Sequence, residues 1–183
     1  GTSVAAVMFY NLENFYDLEN DSLKQDDEFL PDGERRWSPY RFYTKLNRIA
    51  KVFTNTGNWE PPAIIGVCEV ENRQVLEKLV TYGTLKSWNY QIIHKDSPDE
   101  RGIDVAALYR PSLFYPLSYR YFSPVQESSP VPFTREILYL SGVMAGTDTL
   151  HIFFNHWPSR YSGLMESRPL RKQAALRLKS EIE

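Results

Sequence analysis

Asn11, Glu69 and His156 stand where apolar runs of this chain break into polar chemistry. Glu69 belongs to residues 64–72, Ile-Ile-Gly-Val-Cys-Glu-Val-Glu-Asn, where an unbroken apolar stretch leads straight into a carboxylate. The stretch reads as a strand buried on both faces. A carboxylate tied to such a strand must be paired, hydrogen-bonded or bound to a metal, because desolvating it alone is too costly. Residues 4–10 lead in the same way to Asn11, and residues 150–155 lead to His156. Ligands of open α/β sheets sit beyond the carboxyl ends of strands. The three residues are therefore expected to meet at one sheet edge.

Each candidate has a plainer alternative. His156 lies in Asn155-His156-Trp157-Pro158-Ser159-Arg160, a rigid turn. There a neutral imidazole can donate to a developing oxyanion and Arg160 can grip phosphate through parallel bonds. The alternative is a surface turn with an incidental His. Arg101 precedes a glycine in Ser97-Pro98-Asp99-Glu100-Arg101-Gly102-Ile103-Asp104, where backbone can approach a ligand. Its alternative is a hairpin loop whose Arg and acids pair with one another. Glu69 with Asn11 suits magnesium, which takes few carboxylates and keeps several waters. Glu71 alternates to the opposite face and is expected to be solvated or ion-paired. His94 and His151 fall inside strand runs and read as structural. Asp17, Glu19, Asp21 and Glu28 follow a calcium-loop spacing, but Ser22 stands where Gly belongs and Lys24 where an apolar residue belongs. A solvated acidic loop over residues 17–37 is the expectation there.

The positioning elements read as α/β. Ser38-Pro39 opens a helix whose Phe42, Leu46, Ile49, Ala50 and Phe53 face a core. Asn72 caps a second helix, with Val75, Leu76, Leu79 and Val80 inward and Gly83 as its stop. Beyond Tyr90 the pattern turns antiparallel, with strands over 90–94, 103–109, 113–122, 136–144 and 149–155 and a hairpin signal at 145–148. Residues 169–183 read as an amphipathic helix carrying Leu170, Ala174, Leu178 and Ile182. No linker divides the 183 residues, so a single domain is expected.

Composition closes off several classes. Hydrophobic content of 42%, with 14% aromatic, argues a folded chain. A net charge of −2 supplies no global basic field for nucleic acid, although local phosphate recognition stays open. Cys68 alone excludes an internal disulfide and reads as an inert buried thiol. No apolar run is long enough to span a membrane. Gly1-Thr2-Ser3 reads as a cloning remnant or a mature terminus, which leaves a secreted or periplasmic protein after signal removal as an expectation.

Taken in order, these motifs resemble the endonuclease/exonuclease/phosphatase superfamily. They are residues 9–17, residues 27–33 with Trp37, residues 66–72, residues 97–109, residues 155–160, and Ser167-Arg168-Pro169. The resemblance implies part of a four-layer α/β/β/α sandwich with a mixed sheet and the C-terminal portion absent. It implies metal at Glu69 and Asn11, with magnesium as the ion and manganese or calcium as substitutes. His156 would act with Glu69 at the scissile phosphate, and Arg101, Arg160 and Asn11 would line it. The implied substrate is a phosphoester, in nucleic acid or a phosphorylated small molecule. The family's Gly-Asp-x-Asn and Ser-Asp-His motifs do not occur here, so this chain is expected to be inactive alone. Half a two-sheet sandwich would also leave an apolar face over residues 114–122 and 137–144 uncovered, to be met by a missing half or a second copy. The alternative function is a non-catalytic half-domain that binds a partner chain or a phosphorylated ligand.

Overall fold

The computed structural model describes residues 5–56, 60–125, 135–144, 149–157 and 163–183. Helix α1, Pro39–Asn55, forms where Ser38 holds extended backbone and its Oγ accepts from Arg41 N at 3.4 Å. Phe42, Leu46, Ile49, Ala50 and Phe53 are buried on one stripe, since residues three and four apart share a helix face. Truncating Phe42 to Ala costs about 3–5 kcal/mol. Helix α2, Arg73–Thr81, is capped by Asn72, whose Oδ1 accepts from Val75 N at 3.0 Å. Its four predicted apolar residues are all buried. Gly83 takes a left-handed φ of 68° after α2 and opens a short 3-10 helix, Gly83–Trp88.

Four strands form a mixed sheet: β1 Val7–Phe15, β2 Ile64–Val70, β3 Gln91–Ile93 and β4 Asp104–Tyr109. Their order is β1-β2-β4-β3, with β1 parallel to β2 and the other pairs antiparallel. A second, antiparallel sheet holds β5 Phe114–Phe122, β6 Ile137–Met144 and β7 Thr149–Phe154 in that order. The predicted strands form, the later ones within a residue or two, while β1 begins later than the run over residues 4–10 and continues through Asn11 to Phe15. The hairpin predicted at 145–148 lies outside the described residues.

Alternation along β2 sorts the core. Ile65, Val67 and Val70 turn toward α1 and α2, while Ile64 and Cys68 turn toward the second sheet. There they meet Phe114, Leu138, Leu140, Met144 and Phe154. The expectation of an uncovered apolar face is corrected for residues 137–144, whereas β5 still exposes Tyr115, Leu117 and Tyr119. The chain carries strands of both sheets, and their inner faces bury each other. Gly66 marks a close approach, since a Cβ on it would lie 2.1 Å from Phe154 Cδ1.

Helix α3, Leu164–Ile182, starts earlier than predicted and contains Pro169 in its interior. The predicted stripe holds only in part: Ala174 is fully buried but Ile182 is 63% exposed. The helix meets the second sheet through charged groups. Glu181 pairs with Arg120, and the Arg177 guanidinium lies 5.5 Å from the Phe122 ring centre. No helix among the described residues is long and apolar enough to cross a membrane.

Candidate active site

Glu69 does not sit at the end of β2, as the apolar run suggests, but one residue inside it. Pairing of β1 with β2 runs regularly to Asn11↔Cys68, then jumps to Phe15↔Val70. On the other side β2 jumps from Cys68↔Val105 to Val70↔Asp104. Glu69 is therefore unpaired in the register with both neighbours, a bulge that re-aims its side chain. Its φ is 60°, and the facing bend in β1 holds Glu13 at 55° and Asn14 at 58°. Left-handed backbone costs a non-glycine residue about 1–2 kcal/mol, and such strain collects at functional sites. Lys45 braces the bend by donating to Glu13 O at 2.5 Å and Asn14 O at 3.3 Å.

The re-aimed carboxylate is met by three donors. His156 Nε2 stands 3.2 Å from Oε1, Asn11 Nδ2 donates to Oε1 at 2.9 Å, and Asn14 N donates to Oε2 at 3.0 Å. The His156 contact, followed by the Asn11 and Asn14 hydrogen bonds, pulls the Glu69 carboxyl down to about 2 against opposing desolvation. So Asn11, Glu69 and His156 do converge, from β1, β2 and the residues just after β7. The Asn11 amide, however, faces Glu69 with its donor end, and its Oδ1 accepts from Glu13 N at 2.7 Å. Asn11 orients the carboxylate in this arrangement. Sharing a metal with Glu69 would require its amide to turn over and release Glu13 N–H. Glu69 is the carboxylate of the cluster suited to a hard divalent cation, which there would compete with the donors now on Oε1 and Oε2.

Arg135 joins the cluster without having been foreseen. It is 9% exposed, and its Nη1 lies 3.2 Å from His156 Nδ1. Its Nε lies 3.4 Å from Asp99 Oδ2, and burial lowers its pKa. Arg135 stands two residues ahead of the apolar run of β6. A cation so close to a core strand needs a partner, and that is the signal that could have found it. Arg101 Nε is 3.6 Å from Asp99 Oδ1, so the plainer reading, acids pairing with Arg inside the loop, holds for this contact. Tyr16 Oη donates to Arg101 O at 2.7 Å and ties that loop to the end of β1. Arg160 lies outside the described residues.

Glu71 overturns its expectation of solvent or an ion pair. It is 7% exposed and its Oε2 accepts from Asp17 N at 2.6 Å. Burial, with the nearby carboxylates of Asp17, Asp26 and Asp21 adding to it, raises its pKa to about 8. The acidic loop is likewise not simply solvated. Asp17 and Asp26 are buried; Asp17 Oδ2 accepts from Asn72 Nδ2 at 2.9 Å and Asp26 Oδ2 from Asp21 N at 3.0 Å. His94 is structural as expected: its Nε2 is 2.8 Å from Asp104 Oδ2, and Asp104 Oδ1 accepts from Ser97 N at 2.8 Å. With Asp96 these residues bring three ligand-type atoms within 4.8 Å of one another. The pair shapes the loop that carries Asp99. Burial pushes the Cys68 thiol up to about 12, in keeping with an inert side chain.

A helix-backed mixed sheet, faced by an antiparallel sheet and carrying a His–carboxylate cluster at its rim, defines a two-sheet α/β architecture. Residues 6–183 match the family model described as Endonuclease/Exonuclease/phosphatase family, and the chain belongs to that family. It is similar in structure to an endonuclease/exonuclease/phosphatase from Bacteroides vulgatus, with a TM-score of 0.61 and 14% identity over 96% of this chain. A humanized D. rerio TDP2 gives 0.57 and 10% identity over 92%. A functionally unknown conserved protein from Enterococcus faecalis gives 0.57 and 14% identity over 92%. At these identities the likeness shows the fold alone. The chain spans 58%, 53% and 59% of those three proteins respectively. No curated protein sequence matches it.

Proposed function

We propose that this chain carries residues of a metal-dependent phosphoester hydrolase site. The observation that carries the reading is the 3.2 Å approach of His156 to Glu69, on a bulge stabilised by Asn11 and Asn14. Glu69 would hold a divalent cation of the magnesium class, with manganese or calcium as substitutes, and the ion would supply Lewis-acid polarisation of a phosphoryl oxygen. Asn11 keeps the carboxylate oriented. His156 donates to a non-bridging oxygen as negative charge builds there. Arg101 and Arg160 are the candidate cations for the phosphate flanks. Family membership supports a phosphoesterase, either nuclease or phosphatase.

One similar structure is D. rerio TDP2 complexed with single strand DNA product. That supports a nucleic acid as one substrate class, beside inositol phosphates and phospholipid head groups. Our reading of the whole fold is a four-layer sandwich in one domain, acting after export to the periplasm or outside the cell. Gly-Asp-x-Asn and Ser-Asp-His do not occur, so we expect this chain alone to turn over at background, and to act on phosphoesters only in a form that supplies those groups. Isothermal titration with Mg²⁺, beside a hydrolysis screen of DNA, RNA, inositol phosphates and phospholipid head groups, tests the proposal. Absence of Mg²⁺ binding that depends on Glu69 would overturn it.

A further inference from the structure

We infer that the acidic loop and the segments following β2 and β3 build a second cation site, separate from Glu69. It takes a hard divalent ion of the calcium class on Glu71, Asp21 and Asp96. These three side chains line one cavity of about 310 Å³, together with Asp104 and Lys24. Its wall thus carries four carboxylates and one ammonium. The ammonium is committed elsewhere: Lys24 Nζ donates to the carbonyls of Ser97 and Asp99 at 3.0 and 2.9 Å. It makes no ion pair with an acid among the described residues. Carboxylates gathered at this density repel one another unless a cation sits among them.

Unmet oxygens point to a ligand independently of that charge count. Glu71 is 7% exposed and lines the cavity. Its Oε2 accepts from Asp17 N at 2.6 Å, but no hydrogen bond or ion pair of the described residues reaches Oε1. Behind Asp21, the fully buried Asp26 accepts from Asp21 N on Oδ2 at 3.0 Å, while its Oδ1 is buried with no partner. A buried acceptor left unmet is costly, and a bound ion offsets what the protein does not supply. Asp104 is not a free ligand: His94 Nε2 lies 2.8 Å from Oδ2, and Ser97 N donates to Oδ1 at 2.8 Å. It contributes negative field instead. Asp21 gives only Oδ1 to Leu23 N, at 3.0 Å, and the nearest ionic partner of the exposed Asp96 is His94, at 4.0 Å. Calcium takes about six to eight oxygens in a flexible geometry, so carboxylates from three segments, completed by water, suit it better than the strict octahedron of magnesium. Held there, the ion ties the acidic loop to the ends of β2 and β3.

The test uses the full 183-residue chain carrying Glu69→Gln, so that this site and the proposed phosphoester site fail separately. Calorimetric titration with Ca²⁺ is expected to show one bound ion in that chain, and excess Ca²⁺ should raise its melting temperature, since the ion binds the folded state. Adding Glu71→Gln, whose amide oxygen can still accept from Asp17 N, should weaken Ca²⁺ binding by more than about tenfold and abolish the shift. Asp21→Asn and Asp96→Asn, both at exposed positions, should each weaken it as well. A cooperative melt in metal-free buffer shows that a variant is folded. Where Glu71→Gln fails that check, Asp21→Asn decides in its place. No Ca²⁺ binding by the Glu69→Gln chain overturns the inference, and so does equal affinity after Glu71→Gln. Equal affinity in both Asp21→Asn and Asp96→Asn overturns the ligand set. Loss of Mg²⁺ binding with Glu69→Gln, while Ca²⁺ binding stays, shows two separate sites.

Discussion

Glu69 and Glu71 are two residues apart on one chain segment, yet their surroundings drive their carboxyls in opposite directions. Glu69 is swung out by a bulge toward Asn11, Asn14 and His156, and its pKa falls to about 2. Glu71 follows the strand under the acidic loop, among Asp17, Asp21 and Asp26, and its pKa rises to about 8. In a regular strand they would share one face, because the side-chain period is two. The bulge breaks that equivalence. A single inserted residue has given one carboxylate donors and the other carboxylate like charges. The lesson is that backbone register, more than residue type, decides which acid stays charged.

The sharpest way to break the comparison is at Glu69. Glu69→Gln keeps the shape and the acceptor oxygen but removes the charge. Mg²⁺ affinity, measured by titration calorimetry, is expected to fall more than about a hundredfold, beyond the 10–100-fold typical of losing an outer-sphere partner. Equal affinity in the variant would remove the metal from Glu69.

Next is the pH dependence, where the two acids pull against each other. Glu69, with a folded pKa below its unfolded value, adds stability above about pH 4.5 and loses it as pH falls toward 2. Glu71, with a folded pKa above its unfolded value, adds stability at low pH that is lost as pH rises from about 4.5 through about 8. Glu71→Gln should therefore flatten the decline in thermal stability between pH 5 and about 9, and be the more stable protein at the alkaline end. Thermal melts in metal-free buffer across that range decide it. A wild-type protein whose stability does not fall on the alkaline side would return Glu71 to an ordinary solvated carboxylate.

Two smaller effects sharpen the contrast. Asn72→Ala removes the α2 cap and the amide that Asp17 accepts from, so a loss of about 1–2 kcal/mol is expected, with Mg²⁺ affinity unchanged. Reduced Mg²⁺ binding in that variant would mean the two acidic regions are coupled. Glu13→Gly relieves a left-handed backbone at some entropic cost, and a gain of about 0.5–1 kcal/mol is expected. A loss instead would show that the Glu13 side chain supports the bend.

Much of this was legible in the sequence because it depends on local spacing. The α1 stripe, the Ser38 and Asn72 caps and the strands of both sheets follow from periodicity and from residues that satisfy helix ends. The meeting of Asn11, Glu69 and His156 was legible too, since each ends or interrupts an apolar run. The bulge at Glu69 was not, because register is a relation between strands and leaves no mark within one of them. Glu71 is misplaced because what buries it, the Asp17 backbone and the acidic loop above, lies far from it in sequence. Arg135 was missed because neither Asp99 nor His156 lies near it in sequence. Pro169 reads as a helix start, while the helix runs through it.

Gly66 and Phe154 act as a gauge block between the two sheets. The ring sits where any side chain on residue 66 would be, so the spacing of the sheets at that point is set by a missing carbon. The same contact indexes two strands at once. Three residues along from Gly66 is Glu69, and two residues along from Phe154 is His156. A methyl group at position 66 would push the strands apart like a wedge near a hinge, and the imidazole and carboxylate beyond it would separate. The tolerance of the whole cluster is thus machined at a place that touches none of its polar atoms.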